Sequence, residues 1–218
     1  MTAKASPPAN RPASALPLAL LLAAPAVLLL GAGSICPAGE CRPGAFDTAG
    51  MALAARGHAP LADAFFRAVT WGGSILVLGP LALAHAAFAW HRLRSCRALF
   101  LPVALAGAAL LAYAAKIAVD RDRPDVAALI EMPADASFPS AHSLQVSAFV
   151  AAWLLTPGRD PRPSRWPEIA LGVLLVGLVA WSRLHLQVHY PSDILFGLAA
   201  GILWVIALRR LPLWRWKP

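Results

Sequence analysis

Six apolar stretches recur along the chain, each bounded by charged or proline-rich residues, and this rhythm restricts the possible folds more than any other feature. They run over Ala15–Ala32, Ala68–Trp90, Ala98–Val119, Ala141–Thr156, Ile169–Trp181 and Ile194–Leu208. A bilayer's hydrocarbon core takes roughly 20 helical residues to cross. The stretches reach or approach that length; the fourth and fifth are short, so neighbouring polar residues must complete them. Within lipid every backbone polar group needs an internal partner, and no strand alternation suited to a barrel occurs, so helices are the spanning form. The expected fold is therefore all-α, a polytopic bundle of six transmembrane helices. Pro25 and Pro80 fall inside spans and are expected to kink them.

Composition agrees with that reading. Only 14% of residues are charged, against about 25% in a soluble domain. The net charge of +8 is scattered between apolar segments rather than gathered on one face, which argues against a nucleic-acid partner and for the topology signal of membrane proteins. One set of span ends carries Lys4, Arg11, Arg92, Arg94, Arg97, Arg159, Arg162, Arg165, Arg209, Arg210, Arg215 and Lys217. The other carries Arg42, Arg56, Arg67, Lys116, Arg121, Arg123 and Arg183. The first, more basic set is expected in the cytoplasm, with both termini. Residues 1–218 read as a single integral-membrane domain whose first dozen residues (about 1–12) form a disordered cytoplasmic N-terminus. The first stretch follows Lys4 and Arg11 as in a signal peptide, but its apolar run is long for one and reads as a retained helix. Pro60–Arg67 has the pattern of a short amphipathic helix lying on the outer surface. Cys36 and Cys41 share one polar loop, where a disulfide and two free thiols are both open readings; Cys96 lies apart. No Cys/His spacing suggests a metal site.

Ionisable groups at the ends of the spans carry the functional signal. Lys116 ends the third span and Arg183 the fifth, while His142 and His189 open the fourth and sixth. Taken singly, the cations read equally well as side chains snorkelling to the headgroups. The six-span topology brings all four ends to one face, and it is the face with fewer basic residues. Cations and imidazoles at a single aqueous mouth are what an oxyanion such as phosphate needs.

The spacing is more specific. Lys116 is followed after six residues by Arg123-Pro124; then comes Phe138-Pro139-Ser140-Ala141-His142-Ser143; then Ser182-Arg183, with His189 after five residues and Asp193 after three more. This pattern, over 116–193, resembles the signature of the lipid phosphate phosphatases (phosphatidic acid phosphatase type 2), relatives of the vanadium haloperoxidases. The family's motifs are Lys-x6-Arg-Pro, Pro-Ser-Gly-His and Ser-Arg-x5-His-x3-Asp. One position departs: Ala141 stands where the family usually has glycine, and alanine lacks glycine's freedom at positive φ.

The resemblance implies that His189 attacks phosphorus and forms a phosphohistidine that water hydrolyses. It also implies that His142 protonates the leaving oxygen and that Asp193 orients His189. Lys116, Arg123 and Arg183, with Ser140 and Ala141 at a helix N-terminus, are then expected to hold the phosphoryl oxygens. No metal and no cofactor is implied. Asp120, Asp122 and Asp125 read as solvated loop acids, His85 as a bundle-interior histidine, His185 as structural or mouth-lining, and Ser182 as a brace of the site.

The expected activity is hydrolysis of a lipid phosphomonoester or diphosphate at the extracytoplasmic, periplasmic mouth of a bundle in a bacterial inner membrane. Undecaprenyl diphosphate, phosphatidic acid, phosphatidylglycerophosphate and a lipid A phosphate all fit, the first being favoured. The alternatives are a lipid phosphotransferase of the same superfamily, or a silent membrane scaffold or transporter. Apart from the lipid substrate and the bilayer no partner is indicated, and the oligomeric state is open.

Overall fold

The computed structural model describes residues 19–157 and 165–214. The N-terminal segment expected to be disordered, and Lys4, Arg11, Arg159, Arg162, Arg215 and Lys217, lie outside the described residues. Within them the structure is helical, with no strand. Helices α1 (Ala23–Ile35), α2 (Ala45–Ala55), α3 (Pro60–Val69), α4 (Ile75–Leu93), α5 (Phe100–Val119), α6 (Ala141–Leu154), α7 (Trp166–His185) and α8 (Pro191–Arg210) follow in order.

Four stretches are long and apolar enough to cross a membrane: Ile75–Arg92 in α4, Cys96–Val119 including α5, Trp166–His185 and Pro191–Arg210. The apolar helices Ala23–Ile35 and Ala141–Leu154 are shorter. The second expected span began too early, because residues before Ile75 belong to α3 and to a 3-10 turn, Thr70–Gly73. Ser74 then starts α4 by accepting a hydrogen bond from the Leu76 N–H, a cap that satisfies one of the free donors of a first turn. The fifth span is longer than its apolar core, from Trp166 to His185. Pro167 fits its first turn, where no N–H is needed.

α6 and α8 form the centre, with α5 and α1 packed around them. Leu101, Ala104, Leu105, Ala108, Leu144, Ala148 and Val205 are buried there. α6 and α8 approach closely because of glycine. A Cβ on Gly197 would come within 2.9 Å of the Ser140 carbonyl, and one on Gly201 within 2.4 Å of the Leu144 carbonyl. Small residues four apart let helix backbones touch in lipid. Ser147 adds a hydrogen bond across the contact, its hydroxyl 3.2 Å from the Leu198 carbonyl. By contrast, Leu76, Leu81, Leu83 and Phe88 of α4 and Leu171, Val173 and Leu174 of α7 are exposed, an apolar exterior suited to lipid tails.

α2 was not anticipated from the sequence. The amphipathic α3 was; it docks on the end of α7, where Asp63 bonds His185 at 2.8 Å and Phe66 stacks on the same ring. Cys36 and Cys41 are joined by a disulfide in the α1–α2 connection.

Candidate active site

Helix ends build the site. α5 delivers Lys116 in its last turn and stops where Asp120 takes a left-handed conformation. The chain then runs as a loop from Arg121 to Ser140, α6 opens with Ala141 and His142, α7 ends with Arg183 and His185, and His189 lies just before α8. Lys116, Arg183, His189 and Asp193 are all buried.

His189 is held between opposing partners. Its Nε2 faces Arg123 Nη1 at 3.3 Å. A guanidinium only donates, so this contact leaves a lone pair on Nε2 and places the ring proton on Nδ1. On the Nδ1 side stand the Ser137 hydroxyl at 3.4 Å and Asp193 Oδ2 at 3.6 Å. Asp193 thus stands beyond direct hydrogen-bond reach of His189, and Ser137, whose hydroxyl donates to Asp193 Oδ2 at 2.5 Å, bridges the two. The same oxygen accepts from the Tyr190 N–H at 2.9 Å, the backward reach expected of an acid in the first turn of α8. Burial, and after it the charges of Arg183, Arg123 and Lys116, hold the His189 pKa well below its ordinary value, so the ring is neutral.

The expected phosphate ligands divide. Arg183 donates to the Thr70 hydroxyl at 2.6 Å, while its buried Nε has no hydrogen-bond partner among the described residues. A buried donor left unmade is costly, and an oxyanion would satisfy it. Arg123 and Lys116 instead converge on Asp135. Arg123 Nη2 lies 2.6 Å from Asp135 Oδ1 and Lys116 Nζ 3.2 Å from Oδ2. Lys116 also donates to the Ala136 carbonyl, and Arg123 Nη1 to the Val188 carbonyl at 2.7 Å. Burial pushes the Asp135 carboxyl up, but the Arg123 hydrogen bond and both cations outweigh it and leave the pKa lowered. Ser140 departs from expectation in part. Its N–H donates to the Asp193 carbonyl at 3.1 Å and its hydroxyl accepts from Ser143, so it ties α6 to α8 and caps α6. Ala141 is the first helical residue, outside the positive-φ positions; alanine is unstrained where the motif usually has glycine. It and His142 keep first-turn N–H groups that a helix does not satisfy. His142 lies against Gly73 and lines, with Arg183, Arg67 and Trp71, a cavity of about 440 Å³.

The sequence model of the PAP2 superfamily matches residues 97–217, more than half of the chain.

The chain belongs to the PAP2 superfamily.

The fold agrees: a solved PAP2-type phosphatidylglycerolphosphate phosphatase from Bacillus subtilis superposes with a TM-score of 0.70 at 23% identity, over 90% of this chain and 95% of the other. Decaprenylphosphoryl-5-phosphoribose phosphatase of Mycobacterium tuberculosis is 39% identical over 94 residues, 42% of this chain and 48% of that protein. A putative undecaprenyl-diphosphatase of Escherichia coli is 40% identical over 73 residues, 32% of each chain. These alignments span half or less of the length of the relatives they match. The protein is, like its structural neighbour, an integral membrane member of the PAP2 superfamily.

Several residues packed around this candidate site of a PAP2 member were not singled out from sequence. Arg121, counted there only as an outer cation, is 1% exposed and pairs with Asp193 Oδ1 at 2.5 Å and Asp47 Oδ2 at 2.6 Å. Asp47 in turn accepts from the Ser192 N–H at 2.9 Å, at the N-terminus of α8, where a carboxylate is favoured. The only signal for Asp47 was a lone acid in an apolar segment. Ser137 and Asp135 stood beside the second motif without a pattern of their own. Ser182 bonds the Val179 carbonyl of its own helix at 2.6 Å rather than bracing the site. Asp122 and Asp125 are exposed, as loop acids should be. Among the described residues no group of three or more His, Cys, Asp or Glu side chains is arranged to hold a metal ion.

Proposed function

We propose that the protein is a membrane lipid phosphatase that hydrolyses a lipid phosphomonoester or diphosphate through a phosphohistidine on His189. The observation that carries this reading is the His189 ring, neutral and with its Nε2 lone pair toward Arg123, beside Lys116 and Arg183 in the same charged mouth. Nε2 attacks phosphorus, the bond from phosphorus to the leaving oxygen breaks, and His142 gives that oxygen a proton. Water then attacks the phosphohistidine and yields its proton to His142, the N–P bond breaks and phosphate departs. Lys116, Arg123 and Arg183 carry the charge that spreads over the phosphoryl oxygens. Through Ser137, Asp193 keeps the His189 proton on Nδ1.

A polyprenyl phosphate or diphosphate is the favoured substrate. The relatives in Mycobacterium tuberculosis and Escherichia coli are named for such lipids, and an apolar bundle under a cationic mouth suits a long tail on a small anionic head. The chain is read as one domain of six spans, α1 and α6 being the short ones, in a bacterial inner membrane. Both termini are placed in the cytoplasm and the site at the periplasmic face. The partition of Lys and Arg supports this, as does a disulfide in the α1–α2 connection on the side of the site, since disulfides persist in oxidising compartments.

The test is phosphate release by detergent-purified protein over a panel of polyprenyl, glycerolipid and lipid A phosphates in EDTA, beside His189→Ala. Release in EDTA that His189→Ala abolishes, a drop of at least about 10³-fold, is expected. Full activity in His189→Ala sinks the mechanism, and strict dependence on an acceptor lipid makes the protein a transferase.

A further inference from the structure

Two of the three motif cations are already bridged by a carboxylate of the chain itself. Asp135 spans Arg123 and Lys116, one oxygen on each, at 2.6 and 3.2 Å. It also acts electrostatically on Arg183 and His142, so it stands among the groups assigned to phosphate. Two carboxylate oxygens on a guanidinium and an ammonium reproduce the pattern that two phosphoryl oxygens make there. The carboxylate is not locked in: its side chain is 54% exposed and sits in the loop between α5 and α6, beside a cavity of about 220 Å³ lined by residues 120–123 and 132–136. Arg123 is fixed independently by the Asp135 and Val188 carbonyls at 2.8 and 2.7 Å, and Lys116 by the Ala136 carbonyl. Both cations keep their places if the carboxylate swings out.

We infer that Asp135 is an internal competitor for the phosphate site, displaced when the substrate phosphoryl group enters and returning to Lys116 and Arg123 as product phosphate leaves. This rests on the phosphatase reading above. Arg183, which Asp135 does not bond, offers its unpartnered Nε to the incoming group first. The physical need is release. Buried cations left bare by a departing dianion are costly, because their charge is uncompensated away from water. A carboxylate that moves in as phosphate moves out offsets that cost and keeps orthophosphate from lingering.

The experiment compares full-length wild type, Asp135→Asn and Asp135→Ala in detergent, with thermal unfolding to confirm each is folded. Inhibition of lipid phosphate turnover by inorganic phosphate gives KI, and calorimetric titration with inorganic phosphate gives Kd. Removing a competitor lowers KI and Kd by about tenfold or more in both variants, given what a charged hydrogen bond contributes. If Asp135 instead held the cations in position, both constants would rise. A rise, no change, or opposite movement of the two variants overturns the inference. Turnover with unaltered constants leaves the phosphatase reading standing, whereas absence of both turnover and phosphate binding in wild type removes that reading as well.

Discussion

At the residue scale, the least replaceable charge outside the motifs is Arg121. It lies between Asp47 and Asp193, 4.1 Å above the Tyr190 ring, and its guanidinium is the only cation bonding either carboxylate among the described residues. Arg121→Met leaves two buried acids facing each other. Breaking such a network from one side costs about 3–5 kcal/mol. The expected outcome is a large drop in the thermal unfolding temperature in detergent, partly recovered in the Arg121→Met/Asp47→Asn double variant. A variant as stable as wild type would mean that the network contributes nothing. The sequence showed Lys116, Arg123, His142, Arg183, His189 and Asp193 because their spacing is a pattern. Arg121 and Asp47 lie 74 positions apart, and a pairing across that distance leaves no local trace. Ser137 escaped for another reason: a serine is ordinary anywhere, and only the 3.6 Å gap between Asp193 and His189 gives it meaning.

At the element scale, the contact of α6 with α8 sets the site, since the Ser140 N–H and the Asp193 carbonyl join the second and third motifs directly. Its closeness depends on glycine. Gly201→Ala places a methyl 2.2 Å from the Ser147 hydroxyl and 2.4 Å from the Leu144 carbonyl, so the helices must separate; overpacking of this kind costs about 1–3 kcal/mol. Gly177 of α7 has nothing within 4 Å of an added Cβ, and Gly177→Ala is expected to be neutral or to stabilise by about 0.5–1 kcal/mol through helix propensity. Thermal unfolding of the two variants side by side checks the contrast, with lower turnover expected only for Gly201→Ala; equal stability would discount the close packing. Helix existence was legible here because apolar runs are long. Helix ends were less so: α7 outruns its apolar core to reach Arg183 and His185, and polar residues that end a hydropathy run need not end a helix. α2 escaped because, at 11 residues, its apolar run is too short to read as a span.

At the scale of the whole molecule, the arrangement of Lys and Arg predicts that both ends of the chain share the more basic side and that the disulfide loop lies on the other. Reporter tags on the N- and C-terminus are expected to give cytoplasmic signals, and thiol labelling of intact cells is expected to reach Cys36 and Cys41 only after reduction. An external C-terminus would break the six-span arrangement. After α8 the chain makes a 3-10 turn, Pro212–Trp214, and Trp214 packs on Phe100 with ring centroids 5.2 Å apart.

The packing of α1 on α8, where Gly31 lies against Phe196, bears on how the protein is made. Elements near the two ends of the described chain close the bundle together, and α8 also brings the carboxylate that Arg121 and Ser137 require. During synthesis the earlier helices enter the bilayer with those groups unmatched until α8 arrives with Asp193. A nascent chain cut short before α8 carries the cations of the mouth but not Asp193, so an unfinished copy cannot assemble that charged cluster.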